Sequence, residues 1–581
     1  MSIDRIIPTS KPADLVTFTI KIDGTEIPRT ILVQSIVVQK EINKISSARI
    51  CMADGEPSLE DFEVASQDLF VPGKEIEIFA GYHSDETSIF KGIVITPRIR
   101  VRADNSQLIV DCKDEAVKLS IGRKSKYFFD KTDSDVVEEI INGYGLPNTI
   151  EATSVQHKEL VQFDCTDWDF IITRLEANGY ICITDEDGIS SVKPSLDDDP
   201  VLELLFGATI IEFDSEMDAR NQYEGVNAYS WDYAAQELLN VTAAEPGNEE
   251  NGNISTADLS SVIGLASFDL KHTGQVPQEE LQAWADAQLL KARLSKVKGR
   301  VKFQGFGDVK PATVLNLGGL GDRINGKVFV TGVRHEVADG DWLSDAQFGL
   351  SPDWFAVECP VNAPKAAAML PAVNGLQIGI VTQLESDPNG EDRIQVRLPV
   401  VSLEEQGVWS RIASLDAGDN RGFFFRPEVG DEVVVGFLND DPNNPVILGM
   451  LNSSAKPAPL QAAADNNIKA YVSRSAIKLT FDDDKKSVKL ETPGGRFFLM
   501  DDDSKVIQME DGSGNKIVLD DNGITIQSSK KISLKSNDDI SIEGNNLSSK
   551  AQMSFKAEGT AGIELKSSAT AVLKGALVQI N

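Results

Sequence analysis

Apolar and polar residues alternate along much of the chain in short runs that are typical of β-strands. Segments 75–79 and 107–111 alternate with a period of two residues, which predicts half-buried strands. Three stretches with helical spacing and end signals predict helices: 134–142, 166–178 and 278 to about 296. The polar stretch 243–258 predicts an exposed loop. The first part of the chain, to about residue 365, is therefore expected to mix strands with a few helices.

Two parts of this first region resemble each other. In 72–94 and in 311–333, a proline precedes a strand, a loop and a return strand. We interpret the pair either as an internal duplication of a small β-barrel or as two unrelated hairpins.

A second region, 371–452, predicts a small closed barrel such as an OB-fold. Turn-forming sequences at 387–390, 418–420 and 440–445 separate its strands. The predicted strands are 376–383, 393–399, 409–413, 432–438 and 446–450. A polar stretch, 453–470, then predicts a linker.

From residue 477 onward, pairs of apolar residues recur at short steps, with turn-forming residues between them. The pairs are Ile477/Leu479, Val488/Leu490, Phe497/Leu499, Ile507/Met509, Ile517/Leu519, Ile524/Ile526, Ile532/Leu534, Ile540/Ile542, Met553/Phe555 and Ile563/Leu565. The pattern is compatible with a single-chain β-solenoid, an intertwined β-prism of several chains, or a flexible tail. The regular pairing favours a rod over a tail.

Two apolar side chains per strand are too few for one chain to enclose a core, whereas three chains that each supply one wall can do so. We therefore predict a trimeric β-prism. Its predicted core residues are Ile517, Leu519, Ile524, Ile526, Ile532, Leu534, Ile540, Ile542, Ile563 and Leu565.

Composition narrows the possible functions. The 581 residues carry 56 basic and 90 acidic side chains, a formal charge of −34, which argues against nucleic-acid binding and attraction to anionic membranes. Five dispersed cysteines and four histidines predict no disulfide framework and no metal site. No apolar run is long enough to span a membrane, and the N-terminus lacks the apolar core of a signal peptide.

No catalytic or cofactor motif is found. The acidic runs 482–484 and 501–503 predict solvated turns, and 185–188 predicts a hairpin turn rather than a calcium loop. The glycines of 318–321 lack the context of a dinucleotide loop. Cys165 has no histidine partner and is interpreted as a packed side chain. We therefore predict no catalytic residues, no cofactor and no enzymatic activity.

The segments 421–437 and 440–449 resemble the OB-domain signature of VgrG, the spike of type VI secretion systems. Contractile phage tails and extracellular contractile injection particles have similar spikes. The signature residues are Gly422, Pro427, Gly430, Asp431, Asp441, Pro442, Pro445 and Gly449. Segment 162–179 also resembles the hub-domain helix of this family, so the resemblance covers nearly the whole chain in the expected order.

The resemblance implies a mainly β, trimeric spike. It implies a hub with two small β-barrels and a few helices, an OB-fold collar and a triple-stranded β-helix needle. The expected divisions are 1–365 for the hub, 371–452 for the collar, 453–470 for the linker and 471–581 for the needle. Six barrels per trimer would match a hexameric inner tube to the three-fold needle.

The resemblance also implies partners. A PAAR-repeat tip protein would bind the needle end, where the expected contact residues are Leu577, Val578, Ile580 and Asn581. Baseplate proteins would bind the hub, and effector or toxin cargo would be another chain. The spike would assemble in the bacterial cytoplasm without a signal peptide. It would leave in an extracellular particle or be injected, and would contact the target membrane transiently.

The alternative function is a phage-derived cell-wall hydrolase or a receptor-binding adhesin. About 20 linker-like residues separate the OB-like region from the repeats, so no inserted hydrolase domain is expected. We likewise expect no effector domain after the needle. The residues do not distinguish a type VI apparatus from an extracellular particle or a phage tail.

Overall fold

A computed structural model describes residues 15–103, 105–247 and 251–580. These described residues form two compact units, one within Met1–Val373 and Asn439–Pro442 and the other within Asn374–Leu438 and Asn443–Asn581. The N-terminal segment considered for a signal peptide and Asn581, a predicted tip-binding residue, lie outside the described residues.

The first unit is rich in strands and contains the longer helices. Its strands are β1 (Val16–Ile22), β2 (Thr25–Glu26), β3 (Val33–Glu41), β4 (Ser47–Ala53), β5 (Glu75–Tyr82), β6 (Asp85–Val101), β7 (Ser106–Lys113), β8 (Lys124–Thr132), β9 (Asn148–Thr149), β10 (Gln156–Cys165), β11 (Ile181–Asp185), β12 (Gly188–Val192), β13 (Leu202–Leu205), β14 (Ile210–Met217), β15 (Gly225–Asp232), β16 (Glu237–Thr242), β17 (Ser267–His272), β18 (Val297–Gln304), β19 (Val314–Gly318), β20 (Gly326–Ala338) and β21 (Asp341–Phe348). Its helices are α1 (Asp133–Asn142), α2 (Asp167–Ala177), α3 (Thr256–Ile263), α4 (Gln278–Leu294) and α5 (Phe355–Glu358).

A continuous sheet of 13 strands runs through this unit, and each half of it packs on its own apolar core. One core is formed mainly by β1 and β3–β7, and the other by β13, β14 and β18–β21. The two similar hairpins recognised in the sequence are β5–β6 and β19–β20, and they lie in different halves. The two predicted barrels are therefore two halves of one sheet.

The predicted helices are confirmed as α1, α2 and α4. The helix ends follow the sequence signals, since the Thr166 side chain accepts a hydrogen bond of 3.0 Å from the backbone N–H of Asp169. The prediction of a loop throughout 243–258 is wrong at its end, because α3 begins at Thr256. Ser255 and Asp258 form a reciprocal capping box that starts this helix inside a polar stretch.

A buried ion network joins α1, α2, α4 and β10. The Asp133 carboxylate accepts hydrogen bonds from Arg174 Nε at 2.6 Å and from Asn178 Nδ2 at 2.8 Å. Arg174 also donates to Glu280 at 2.9 Å. Burial acts to raise the pKa of Asp133, but the hydrogen bonds from His157 and Arg174 outweigh it and hold that pKa below its usual range. The network links the three helices to β10 within the first unit.

The second unit begins with a barrel. Its strands are β22 (Gln377–Gln383), β23 (Ile394–Arg397), β24 (Val408–Ile412), β25 (Ala417–Gly418), β26 (Arg421–Gly422), β27 (Glu432–Phe437) and β28 (Pro445–Met450). The closed barrel has the order β22-β23-β24-β28-β27 around a core that includes Val381, Val396 and Val435. All five predicted strands of this region are confirmed to within about two residues at either end.

A seven-stranded antiparallel sheet follows, in which each strand pairs with the next along the chain. Its strands are β29 (Ile468–Val472), β30 (Lys478–Asp482), β31 (Ser487–Glu491), β32 (Phe497–Asp501), β33 (Val506–Glu510), β34 (Lys516–Asp520) and β35 (Gly523–Gln527). β29 begins inside the predicted linker. Within the described part of the chain after β35, residues 528–580 form no strand and are almost all exposed. The predicted fold class is confirmed as mainly β, with a small closed β-barrel and a C-terminal β-sheet. The triple-stranded β-helix stays a prediction, since each strand of β29–β35 pairs here with its neighbour in the same chain.

Candidate trimerisation surface

The cross-strand register of β29–β35 places two rows of apolar side chains on one face of the sheet, which we call the apolar face. Side chains directly opposite each other in paired strands project to the same side. The first row is Tyr471, Leu479, Leu490, Phe498, Met509, Ile517 and Ile526. The second row is Phe481, Val488, Met500, Ile507, Leu519 and Ile524.

These side chains remain accessible in a single copy. Met500, Ile507 and Met509 expose 42%, 40% and 45% of their surface, and Ile524 exposes 71%. Part of the first row lines an open groove of about 860 Å³, which Ile532 flanks. A sheet needs a second layer on its apolar side to be stable in water. The chain supplies no such layer here among its described residues.

The opposite face of the same sheet is more polar. Its central row runs Thr480, Lys489, Leu499, Gln508, Val518 and Thr525. Lys489 donates to Glu491 at 2.6 Å on this side. The sheet is therefore two-sided, with one face suited to water and the other suited to burial.

The charged runs between strands behave as the sequence predicts. Asp482 and Asp501 end their strands, and the acidic residues after each of them lie in exposed turns. The Asp501 carboxylate accepts a hydrogen bond of 2.9 Å from the backbone N–H of Ser504. This hydrogen bond lowers the pKa of Asp501. The predicted solvated turns are therefore confirmed.

Four of the predicted core residues, Ile517, Leu519, Ile524 and Ile526, lie together on the apolar face. The predicted apolar pair Phe497/Leu499 is wrong, because the register of β31 with β32 places Phe498 and Met500 on the apolar face instead. Residues 497–500 are apolar at four consecutive positions, so the sequence does not show which of them share one face of the strand.

The first predicted pair also differs in the structure. Ile477 precedes β30 and is not part of it. Within β30, the two side chains on the apolar face are those of Leu479 and Phe481. The alternation Leu479-Thr480-Phe481 carries the signal that would have identified Phe481.

The remaining predicted core residues lie in 528–580, the part without strands, which we call the strandless segment. They are Ile532, Leu534, Ile540, Ile542, Ile563 and Leu565, and all are exposed in the single chain. Apart from Ile532 at the groove, the structure does not bring them to the apolar face. The predicted tip-binding residues Leu577, Val578 and Ile580 are exposed at the end of the same segment.

The OB signature forms the turns that bound β27 and β28. Gly430 lies at φ +88°, a left-handed conformation that favours glycine, just before β27. Asp431 accepts a hydrogen bond of 2.8 Å from the backbone N–H of Glu428 and closes the same turn. At Gly422 a Cβ would lie 2.3 Å from the Asp416 carbonyl oxygen, so only glycine fits.

The other end of this strand pair carries the rest of the signature. Asp441 and Pro442 lie in the turn between β27 and β28, and Pro445 and Gly449 lie in β28 itself. These signature residues therefore shape the turns and strands of the barrel.

Other candidate sites in the sequence have structural roles. The turn 185–188 joins β11 to β12 as predicted, and Glu186 in it pairs with the buried Lys40 and with Lys310. Burial raises the pKa of Cys165, which packs against the α1–α2 core. Across 15–103, 105–247 and 251–580, no cluster of three potential metal ligands occurs. Over the same ranges, no helix combines the length and apolar character needed to cross a membrane.

Comparison with protein families gives matches in three parts of the chain. Residues 12–339 match the family described as the Alg8 N-terminal domain, which covers more than half of the chain. The chain belongs to this family. Residues 377–451 match the type VI secretion system/phage-baseplate injector OB domain, and 487–581 match the phage baseplate V C-terminal trimerisation domain. The last match contains β31–β35 of the apolar face and the whole strandless segment.

The chain is also similar in sequence to spike proteins of type VI secretion systems. The chain is 22% identical over 382 residues to the type VI secretion system spike protein VgrG1b of Pseudomonas aeruginosa, a match covering 59% of this chain and 48% of that protein. It is 32% identical over 127 residues to VgrG4b of the same organism, covering 20% of this chain and 15% of that protein. The chain thus spans about half the length of the first relative and less of the second. The predicted resemblance to VgrG-like spikes is confirmed.

A similar solved structure is the tail protein from Neisseria meningitidis MC58, with 13% identity and a TM-score of 0.43. This match covers 58% of the present chain and 98% of the other. The curated relatives are spike proteins, so neither a cell-wall hydrolase nor an adhesin is favoured.

Proposed function

We propose that three copies of this chain assemble through the apolar face into the spike and baseplate hub of a contractile injection system. One observation carries the proposal: the two rows of apolar side chains on the apolar face remain about half exposed, because β29–β35 form a single sheet with no second layer over that face among the described residues. The strands β31–β35 of this face lie within a match to a trimerisation domain, which supports a second and a third copy as the covering layers. Three identical sheets around one axis would then bury all three apolar faces together.

The strandless segment 528–580 would complete the needle. An extended segment has unpaired backbone N–H and C=O groups until a neighbouring strand accepts them. In the trimer, the neighbours would come from the other two copies, and the apolar pairs from Ile532 to Leu565 would face the axis. The seven strands of β29–β35 alone, spaced about 4.8 Å apart, would extend the rod by roughly 30 Å.

Such a rod is suited to mechanical work rather than catalysis. Paired edges between chains leave few free hydrogen-bonding groups, so the needle would resist bending and unfolding during membrane puncture. The hub would connect a hexameric inner tube to the three-fold needle, since each chain contributes two halves of a sheet with separate cores. Baseplate proteins would bind the outside of the hub.

The needle end would carry a PAAR-type tip through Leu577, Val578, Ile580 and Asn581. The exposed apolar side chains there are the support for this assignment. Effectors or toxins would travel as separate cargo chains. The complex would assemble in the bacterial cytoplasm and reach its target by sheath contraction, either within an extracellular particle or by direct injection.

The test is the mass and shape of the full-length protein. Light scattering should give three times the chain mass at every concentration at which the protein is soluble. Negative-stain images should show a wide hub that continues into a thin needle. A compact single-chain particle across the concentration range would contradict the proposal.

A further inference from the structure

Three consecutive phenylalanines, Phe423, Phe424 and Phe425, lie exposed on the OB barrel directly after β26. Soluble proteins rarely expose several neighbouring aromatic side chains unless another surface covers them. The barrel core does not include them, since it is formed by residues of β22, β23, β27 and β28. Their exposure therefore needs a separate explanation.

The backbone of this segment is held in place. The N–H of Phe423 donates to the Asp416 carbonyl at 3.0 Å, and the Ser414 hydroxyl donates to the Phe423 carbonyl at 3.0 Å. The Arg426 guanidinium lies 4.9 Å from the centre of the Phe424 ring. The aromatic side chains are thus presented in a fixed arrangement, which lowers the entropic cost of binding a partner.

The aromatic segment is continuous with the apolar face of the needle sheet. The centres of the Phe423 and Phe425 rings lie 5.8 Å apart, and those of Phe425 and Tyr471 lie 4.9 Å apart in a T-shaped arrangement. Tyr471 begins the first row of the apolar face. An exposed salt bridge of 2.9 Å also joins Arg474 to Glu428 across the two segments. One apolar surface therefore runs from the OB barrel through Tyr471 to Ile526.

We infer that Phe423 and Phe425 form the barrel end of the trimer interface and are covered by a second copy of this chain. The inference rests on the proposed trimer and extends it from the needle to the OB barrel. Continuity with the apolar face identifies the occupant, because a copy that covers Tyr471 also reaches the aromatic rings in contact with it. The surface is incomplete in one chain, since Phe423, Phe425 and Tyr471 are each about half exposed.

Photo-crosslinking of the full-length protein tests this inference. The photoreactive analogue p-benzoylphenylalanine replaces Phe423 or Phe425 in separate variants, which retains an aromatic side chain at an exposed position. Irradiation should give covalent dimers and trimers on a denaturing gel. The matched control places the same analogue at Leu403, an exposed residue of the β23–β24 loop outside this surface, and should give single chains.

Light scattering on the same samples separates the two hypotheses. A trimeric mass with crosslinks between chains from either phenylalanine position supports the inference. A trimeric mass in which both positions crosslink only within one chain overturns it and leaves the proposed spike intact. A monomeric mass in the unsubstituted protein overturns both.

Subunit exchange gives a second measurement. In the double variant Phe423→Ser and Phe425→Ser, labelled and unlabelled trimers should exchange chains roughly tenfold faster or more, because apolar contact area is lost. Leu403→Ser should leave the exchange rate unchanged. Equal exchange rates in the double variant and the control would contradict the inference.

Discussion

The substitution Ile517→Asp tests the central argument most directly. Ile517 lies in the middle of the first row of the apolar face, between Met509 and Ile526 in the neighbouring strands. Its neighbour Val518 projects to the opposite, more polar face of the same strand. Val518→Asp is therefore a matched control that introduces the same charge one residue away.

The magnitude follows from burial and charge. Ile517 is already partly buried in one copy, so completing its burial contributes roughly 1 kcal/mol per chain. A carboxylate enclosed without a partner costs several kcal/mol more. Over three chains the loss is on the order of 10 kcal/mol, which corresponds to about seven powers of ten in the association constant. At micromolar concentration this loss should convert the trimer into single chains.

Sedimentation velocity on the full-length protein measures the outcome. Ile517→Asp should sediment as a monomer, whereas Val518→Asp should remain a trimer. Circular dichroism should show that the hub and the OB barrel retain their strands in both variants, since neither substitution lies in those regions. If both variants remain trimers of equal stability towards denaturant, the apolar face does not form the interface and the reasoning fails.

Three further outcomes are expected. Ile532→Asp should weaken trimerisation, because this residue flanks the groove formed by the first row, and unchanged sedimentation would argue against its burial. Deletion of 577–581 should reduce binding of a tip protein in a pull-down assay while leaving the trimer mass unchanged; loss of the trimer would assign these residues to assembly. Burial lowers the pKa of His335 to about 3, whereas an unfolded histidine titrates near 6.5. The stability contribution of the neutral ring is therefore complete above pH 6.5 and falls by about 1.4 kcal/mol per pH unit between pH 6.5 and about pH 3, where the folded protein protonates too. His335→Gln should flatten this slope in urea unfolding of the full-length protein, and an unaltered slope would contradict the assignment.

Local sequence signals were sufficient where each strand has one apolar side and clear turns. The five barrel strands fall where alternation and Gly/Asp/Pro turns predict them. The helix start at Thr166 follows from a side-chain cap that involves residues only three apart. Such features depend on near neighbours in the chain, so they can be deduced without the fold.

Features set by pairing between strands were not predictable in the same way. Because residues 497–500 are all apolar, the sequence allows either Phe497 with Leu499 or Phe498 with Met500 on the apolar face. Only the register with β31 and β33 places Phe498 and Met500 there. The contact between Phe425 and Tyr471 joins residues that are far apart in the sequence and belong to different predicted domains. No local pattern identifies such a contact.

The chain by itself determined its order of modules and the OB barrel, because these depend on residue spacing and on turn-forming residues. It also predicts that the C-terminal region needs additional chains, because each strand carries too little apolar surface to enclose a core alone. The tertiary structure decided which side chains share the apolar face, and that this face continues onto the OB barrel. The physical reason is that side chains alternate between the two faces of a strand, so the register of hydrogen bonding between strands selects which of them lie together.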